Sequence, residues 1–162
     1  MDARAERVQV AITAAGLSAA VREFDASTHT SAEAAVAIGT TVERIVKTVV
    51  FRAGETPVLV LASGRHRIDP AKVAAKLGEP VRLAPPDWIE RELGFPVGGV
   101  PPLGHHRPHR ALFDETLLAF PEVWAAAGHP HAVFPVAPSE LLRVTGAIPA
   151  DVRRERDTGG SS

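Results

Sequence analysis

The sequence predicts an α/β domain of the mixed, α+β-like kind, and three observations support this. Short apolar runs typical of strands alternate with amphipathic segments typical of helices, without a regular βαβ rhythm. Two apolar runs on either side of one turn predict a hairpin, which favours a mixed or antiparallel sheet. No glycine-rich nucleotide-binding signature is present, so a nucleotide-binding fold is unsupported.

Helices are predicted where a capping residue or proline opens an amphipathic segment and glycine closes it. Thr30-Ser31-Ala32-Glu33 has the pattern of a capping box, and the alanine-rich helix after it ends at Gly39. Asp69-Pro70 opens another helix, which ends at Gly78. The same signals predict helices over residues 2–15, 86–93 and 138–145.

Strands are predicted where β-branched and aromatic residues cluster. Residues 45–52 and 58–62 form the hairpin, and the second run lacks polar alternation, which predicts a central strand covered on both faces. Residues 94–108 are rich in glycine and proline and predict no regular element. Shorter strands are expected at residues 21–24, 81–83, 111–113, 123–126 and 131–136.

Length and composition bound the class of protein. The chain has 162 residues, which predicts one domain over residues 1–150 and a flexible polar tail over residues 151–162. No apolar run approaches the roughly 18 residues that a membrane span needs, and the N-terminus lacks a signal-peptide core. Without cysteine there are no disulfides, thiolate zinc sites or cysteine nucleophile. A cytoplasmic location is expected.

The charge balance argues against an extended nucleic-acid interface. The formal net charge is −1, so any contact with nucleic acid should be local. Four cations could form such a patch or be an ordinary solvated surface: Arg65, Arg67, Lys72 and Lys76.

Lys47 is the first candidate functional residue. It lies within the apolar run Ile45-Val46-Lys47-Thr48-Val49-Val50-Phe51, where burying an ammonium group is costly. The alternative is an edge strand whose lysine reaches water or blocks edge pairing.

The second candidate is the loop Gly98-Gly99-Val100-Pro101-Pro102-Leu103-Gly104. Proline fixes the backbone and glycine admits close approach, so such a loop can aim N–H groups at an oxygen atom. A rigid connector is the alternative. His105 follows directly and is expected to line the same pocket, and His131 begins a predicted strand that could also face it.

Other chemistry has weaker support. The clusters around His105 and His129 suggest metal ligands, but prolines break their spacing and no acidic pair completes a usual site. No Gly-x-Ser-x-Gly elbow or spaced carboxylate pair is present, and adjacent Asp114 and Glu115 would point apart on a strand. Hydrolysis here would rely on an activated water or on groups of the substrate.

Taken in order, these segments resemble the YbaK/ProX family, free-standing relatives of the editing domain inserted in bacterial prolyl-tRNA synthetases. The resemblance covers roughly residues 20–148. It rests on the helix cap at Thr30, residues 46–51, the loop 98–105, Phe113-Asp114-Glu115, residues 127–134 and residues 140–146.

The resemblance implies a mostly antiparallel mixed sheet surrounded by helices, with a pocket between the lysine strand and the loop. It implies hydrolysis of the ester between a wrong amino acid (Cys, Ala, Ser or Thr) and tRNA, with tRNA for proline expected, and no cofactor or metal. Lys47, with the backbone of Gly98 and Gly99, would be catalytic. Substrate-binding positions would be Thr48, Val100, Pro101, Pro102, Gly104, His105 and His131.

The implied partner is the acceptor end of aminoacyl-tRNA, with prolyl-tRNA synthetase or another synthetase as a further partner. Two other functions stay open at this point. One is a binding module for a tRNA 3′ end or nucleotide-like ligand that has lost turnover, and the other is a histidine-metal hydrolase.

Overall fold

One mixed sheet of eight strands organises residues 1–155, the part of the chain that the structure, a computed structural model, describes. The strands are β1 (Arg22–Glu23), β2 (Ile45–Ala53), β3 (Thr56–Ser63), β4 (Arg82–Leu83), β5 (Arg110–Asp114), β6 (Val123–Ala126), β7 (Ala132–Val136) and β8 (Ile148–Ala150). The helices are α1 (Ala3–Ala14), α2 (Ser31–Ile38), α3 (Pro70–Leu77), α4 (Pro86–Leu93) and α5 (Pro138–Thr145). Over this range, no helix is both long and apolar enough to cross a membrane.

The sheet order is β1-β7-β6-β2-β3-β5-β8, and β4 also pairs with β2. Antiparallel pairs join β1 to β7, β6 to β7, and β2 to both β3 and β4. Parallel pairs join β2 to β6, β3 to β5, and β5 to β8. The mixed, mostly antiparallel sheet is confirmed, and so is the predicted hairpin, in which Ala53 pairs with Thr56.

Helices cover both faces of the sheet. Because side chains alternate along each strand, one strand supplies apolar contacts to both of these faces. On one face, Leu59 and Leu61 of β3 pack with apolar residues of α1, α4 and α5. On the other face, Val58 and Val60 pack with Val73 of α3, and a separate cluster joins α2 to β2, β6 and β7. Strand β3 is buried from Pro57 to Ser63, as its uninterrupted apolar run predicts.

Strand β8 and two short 3₁₀ helices were not predicted from the sequence. The run Ile148-Pro149-Ala150 is short and contains proline, which weakens a strand signal, yet it pairs in parallel with Leu112 to Asp114 of β5. It lies at an end of the sheet order, where proline is tolerated because an edge strand need not donate on both sides.

The chain continues in contact with the domain beyond the predicted boundary at residue 151. Val152 is fully buried, and its carbonyl accepts a hydrogen bond from the Asp69 N–H at 2.9 Å. Arg153 forms a β-bridge with Ile68. The start of the predicted tail thus closes the core beside α3, and residues 156–162 of that tail lie outside the described residues.

Val152→Ala should lower the free energy of unfolding by about 1–2 kcal/mol, because it removes two buried carbon atoms from the cluster beside α3. Chemical denaturation measures this change. Arg153→Ala is the matched control: Arg153 is exposed, so its replacement should change stability by less than about 0.5 kcal/mol. Equal, negligible effects of both substitutions would show that this segment does not pack as described.

Candidate active site

A cavity of about 560 Å³ opens at one edge of β2, between the start of α2, the start of α4 and the glycine-proline loop. Apolar side chains make up most of its wall, including Val46, Val50, Ile89, Val100 and Trp124. Lys47 and Thr48 lie in the part of the wall formed by β2. The volume of the cavity lies within the range of small-molecule binding sites.

The cavity exists because β2 lacks a neighbouring strand along part of one edge. Strand β3 pairs with β2 from Val46 to Ala53. On the opposite edge, β6 pairs only with Ile45 and Val46, and β4 pairs only with Phe51 and Arg52. The backbone between these two contacts faces the cavity.

The stretch of β2 between β6 and β4 leaves a gap in the sheet. The alternating direction of the hydrogen bonds along β2 shows which backbone groups face this gap. The Gly64 N–H donates to the Ile45 carbonyl on the β3 side, and the Ala84 N–H donates to the Val50 carbonyl on the opposite side. Alternation then directs the Thr48 N–H and carbonyl into the gap. No strand within residues 1–155 pairs with Thr48 there, and its buried hydroxyl also lacks a hydrogen-bond partner in that range. Thr48 therefore brings unpaired polar groups to the cavity wall.

The Lys47 side chain is half-buried, and its Nζ donates a hydrogen bond to the His66 carbonyl. Burial lowers the pKa of Lys47 below its ordinary value, the Asp114 carboxylate opposes this, and Arg67 adds to it. Across the described residues, no carboxylate lies within ion-pair distance of Nζ. The site thus holds a partly desolvated cation that can interact with developing negative charge.

Asp114 and His66 are functional candidates that the sequence reasoning missed. Asp114 ends β5 with its side chain 1% exposed, and its Oδ2 lies 2.8 Å from the His66 Nδ1. His66 belongs to the turn after β3, and its carbonyl holds Lys47. Asp114 ends an apolar run and belongs to the segment Phe113-Asp114-Glu115 noted above, but no local pattern links it to residues about fifty positions earlier.

The first part of the glycine-proline loop forms a cavity wall, as expected. Gly98 has φ +87°, and a Cβ there would lie 2.3 Å from the His29 ring, so a side chain would be both strained and obstructed. Gly99 donates its N–H to the Pro96 carbonyl and accepts from the Gly128 N–H, both at 2.9 Å. Gly99 therefore fixes the loop, while Gly98 and Val100 line the cavity.

The second part of the loop lies elsewhere, which differs from the predicted single pocket. Pro102, Gly104 and His105 line a separate cavity of about 300 Å³, and buried Pro101 lines neither cavity. Gly104 turns the chain against α1, where its carbonyl accepts a 3.0 Å hydrogen bond from Arg7. Burial lowers the pKa of His105 to about 4, and its Nε2 lies 2.8 Å from the Pro101 carbonyl.

His131 also lies outside the β2 cavity. Its Nδ1 is 3.1 Å from the carbonyls of Phe24 and Ala26, so its ring joins the start of β7 to the segment after β1. Nearby His129 contacts the Glu23 carboxylate at 2.8 Å. Within residues 1–155, no three His, Cys, Asp or Glu side chains are grouped so as to hold a metal ion.

The predicted basic patch divides between two parts of the surface. Lys72 forms ion pairs with Asp151 at 2.8 Å and Glu155 at 2.7 Å, on the α3 side of the domain. Arg65 and Arg67 lie instead in the turn that holds Lys47, and Arg65 contacts Glu43 at 3.4 Å. Two of the four predicted cations therefore lie beside the candidate site.

The fold contains a lysine-lined cavity at the edge of a strand. Comparisons with known proteins identify the family of the chain. Residues 25–144 match the model of the aminoacyl-tRNA editing domain. An uncharacterised Bacillus subtilis protein, YwhH, is 32% identical over 75% of this chain and 78% of its own length. This chain belongs to the aminoacyl-tRNA editing domain family.

Two further similar proteins have names that refer to the prolyl-tRNA synthetase. The proline–tRNA ligase of Nitratidesulfovibrio vulgaris (strain DP4) is 32% identical over 71% of this chain, which corresponds to 21% of the ligase. A crystal structure of a protein proposed to be a trans-editing enzyme for prolyl tRNA synthetase superposes with a TM-score of 0.90 and 44% identity. That match covers 96% of this chain and 99% of the other.

The environment of Lys47 predicts how stability depends on pH. Because burial lowers its pKa in the folded state, the unfolded chain binds more protons between that pKa and 10.5, so this group makes stability rise with pH in that window. The stability difference between wild type and Lys47→Met should therefore shift in favour of wild type from pH 7 to 10.5, as measured by chemical denaturation.

Lys72→Met is the matched control. Hydrogen bonds from Lys72 to Asp151 and Glu155 raise its pKa, so its contribution is present below 10.5 and is lost as the pH rises through the folded-state value. Between pH 7 and 10.5 the Lys47 comparison should therefore rise, whereas the Lys72 comparison should stay nearly flat and fall only near and above pH 10.5. Parallel slopes would contradict the described burial of Lys47.

Proposed function

We propose that this protein is a trans-acting aminoacyl-tRNA deacylase that hydrolyses the ester of a mischarged small amino acid on tRNA. The observation that carries the proposal is the ammonium group of Lys47, which has no carboxylate partner among residues 1–155 and lies at a cavity beside the free edge of β2. Membership of the aminoacyl-tRNA editing family supports the substrate class.

The reaction needs little from the protein, because an aminoacyl ester is already activated. The oxygen of a water molecule bonds to the ester carbonyl carbon, and the carbon–oxygen bond to the terminal ribose breaks. The ribose oxygen takes up a proton, which leaves a free amino acid and a tRNA with its hydroxyl restored. Positioning and stabilisation of the transient oxyanion are the contributions that accelerate such a step.

In this proposal Lys47 is the catalytic cation. Its partly desolvated ammonium interacts more strongly with an oxyanion than a fully hydrated lysine does. The Thr48 N–H is a second donor, and the Thr48 carbonyl is an acceptor for the substrate's α-ammonium group. Gly98 and Val100 close the opposite wall, while Gly99 acts indirectly by fixing the loop.

The substrate range follows from size and from the need for editing. The wall formed by Val46, Val50, Ile89 and Val100 is apolar and suits a short side chain such as that of Ala, Ser, Cys or Thr. A synthetase separates amino acids that differ by one methylene by only about 10–200-fold, so a second hydrolytic site improves accuracy. The relatives named for prolyl-tRNA synthesis support tRNA for proline as the carrier.

Contact with tRNA is proposed to be limited to its acceptor end. Arg65 and Arg67 lie beside Lys47 and can meet the terminal phosphates. The net charge of −1 gives little long-range attraction, so a synthetase that presents the tRNA is a natural partner.

Deacylation of tRNA for proline charged separately with Ala, Cys, Ser, Thr or Pro tests the function. The wild-type protein should release one or more of the wrong amino acids but not Pro. Lys47→Ala should lower the rate on the order of 10²–10³-fold, the cost of losing one oxyanion donor. Lys72→Ala is the matched control and should retain the rate, because Lys72 lies on the α3 side away from the cavity.

No release from any charged tRNA, proline-accepting or otherwise, would contradict the proposal and favour a binding module that has lost turnover. A folded Lys47→Ala protein with full activity would remove Lys47 from the mechanism.

A chelator should leave the wild-type rate unchanged, since no step in the proposed reaction uses a metal ion. The measurement is the same deacylation assay with and without EDTA. Loss of activity in EDTA with recovery on adding zinc would instead favour the histidine-metal hydrolase.

A further inference from the structure

One buried carboxylate organises the turn behind Lys47. The Oδ2 of Asp114 accepts from the Ser63 N–H at 3.1 Å and from the His66 ring at 2.8 Å. Its Oδ1 accepts from the Thr116 N–H at 3.0 Å and from the Thr116 hydroxyl at 2.7 Å. Asp114 therefore joins the end of β5 to both ends of the turn that begins at Ser63.

We propose that Asp114 and His66 are positioning residues for the proposed deacylation, which hold the Lys47 ammonium at the cavity through the His66 carbonyl. This inference rests on the proposed function for its kinetic consequences. Neither residue lines the cavity, so neither contacts the substrate. Their effect reaches the reaction through Lys47.

The geometry makes this turn the anchor of the lysine. Over residues 1–155, the His66 carbonyl is the one hydrogen-bond acceptor that Nζ contacts. A lysine side chain loses rotamer entropy on ordering, so a fixed acceptor determines where its charge lies. The Asp114 carboxylate fixes that acceptor by holding the His66 ring and the Ser63 N–H together.

The same carboxylate also acts on Lys47 through its charge. Burial acts to raise the pKa of Asp114, but hydrogen bonds from His66, Thr116 and Ser63 outweigh burial and lower it. Asp114 is therefore ionised at neutral pH and favours the charged form of Lys47, against both burial and the nearby Arg67. Within the turn itself, residues 63–67, the other titratable or charged side chains are His66, which contacts Asp114, and Arg65, which pairs with Glu43.

Asp114→Asn tests the inference because it keeps the shape of the side chain but removes its charge and one acceptor. With a wrongly charged tRNA that the wild type hydrolyses, kcat should fall on the order of 10–100-fold with KM little changed, since a displacement near 1 Å is enough for such a loss. The upper pH limit of activity should move to lower pH, because Lys47 loses the charge that favours its ammonium form.

Asp151→Asn is the matched control. It also removes a carboxylate that contacts a lysine, but Asp151 is 45% exposed and pairs with Lys72 away from the cavity. Its kcat and pH limit should equal those of the wild type. His66→Gln is a second variant, less prone to unfold because His66 is 20% exposed, and it should lower kcat in the same direction.

A readout independent of activity is the titration of Lys47 by NMR. The chain has three lysines, Lys47, Lys72 and Lys76, so their side-chain signals can be assigned by single Lys→Arg substitutions. The pKa of Lys47 should fall in Asp114→Asn and stay unchanged in Asp151→Asn. The pKa of Lys72 should fall in Asp151→Asn and stay unchanged in Asp114→Asn, because the hydrogen bond with Asp151 raises it.

The outcomes separate this inference from the proposed function. If the wild type releases no amino acid from any tRNA, the proposed function fails, while the Lys47 titration still tests the network. If folded Asp114→Asn and His66→Gln both leave kcat, its pH limit and the Lys47 titration unchanged, the positioning role is overturned and the deacylase proposal stands.

Discussion

The incomplete pairing of one edge of β2 is the constraint on which the site depends. Strand β6 contacts the start of β2 and β4 contacts its end, so the backbone at Thr48 faces a cavity in an otherwise covered sheet. An unpaired strand edge is a liability in most proteins, because its free N–H and carbonyl groups invite aggregation. Here the start of α2, the start of α4 and the loop at Gly98 surround the unpaired edge.

Lys47 shows how the same constraint affects stability and function in opposite directions. Burial lowers the pKa of Lys47 and weakens the folded state at neutral pH, but in the proposed deacylation the incomplete hydration of its ammonium would strengthen the interaction with a developing oxyanion. The turn at His66 supplies a carbonyl that accepts a hydrogen bond from Nζ. Hydrogen bonds from the same turn help to keep Asp114 ionised, which favours the charged form of Lys47. The carboxylate acts on Lys47 without pairing with it directly, so the cation stays available.

Local sequence signals predicted most of the fold. They predicted less of the site, because several of its features depend on how distant segments pack. The capping box at Thr30, the glycine helix ends and the hairpin of β2 and β3 are encoded within a few residues, and all are confirmed. Lys47 is visible in sequence because a charge within an apolar strand is rare. Asp114, His66 and the separation of His105 and His131 from the β2 cavity depend on how distant segments pack, which no local pattern contains. The loop 98–104 was one motif in sequence, but Gly104 turns its second half toward α1.

The proposed function requires that the β2 cavity binds the aminoacylated 3′ end of tRNA. The most direct test is amide NMR of the protein with adenosine that carries a small amino acid in a hydrolysis-resistant 3′-amide linkage. The largest shift changes are expected at the backbone amides of Thr48, Gly98 and Val100, with lysine side-chain changes confined to Lys47. Shift changes centred on His105, His106 and His109, with the β2 edge unaffected, would place ligand binding in the second cavity and exclude the β2 cavity as the binding site.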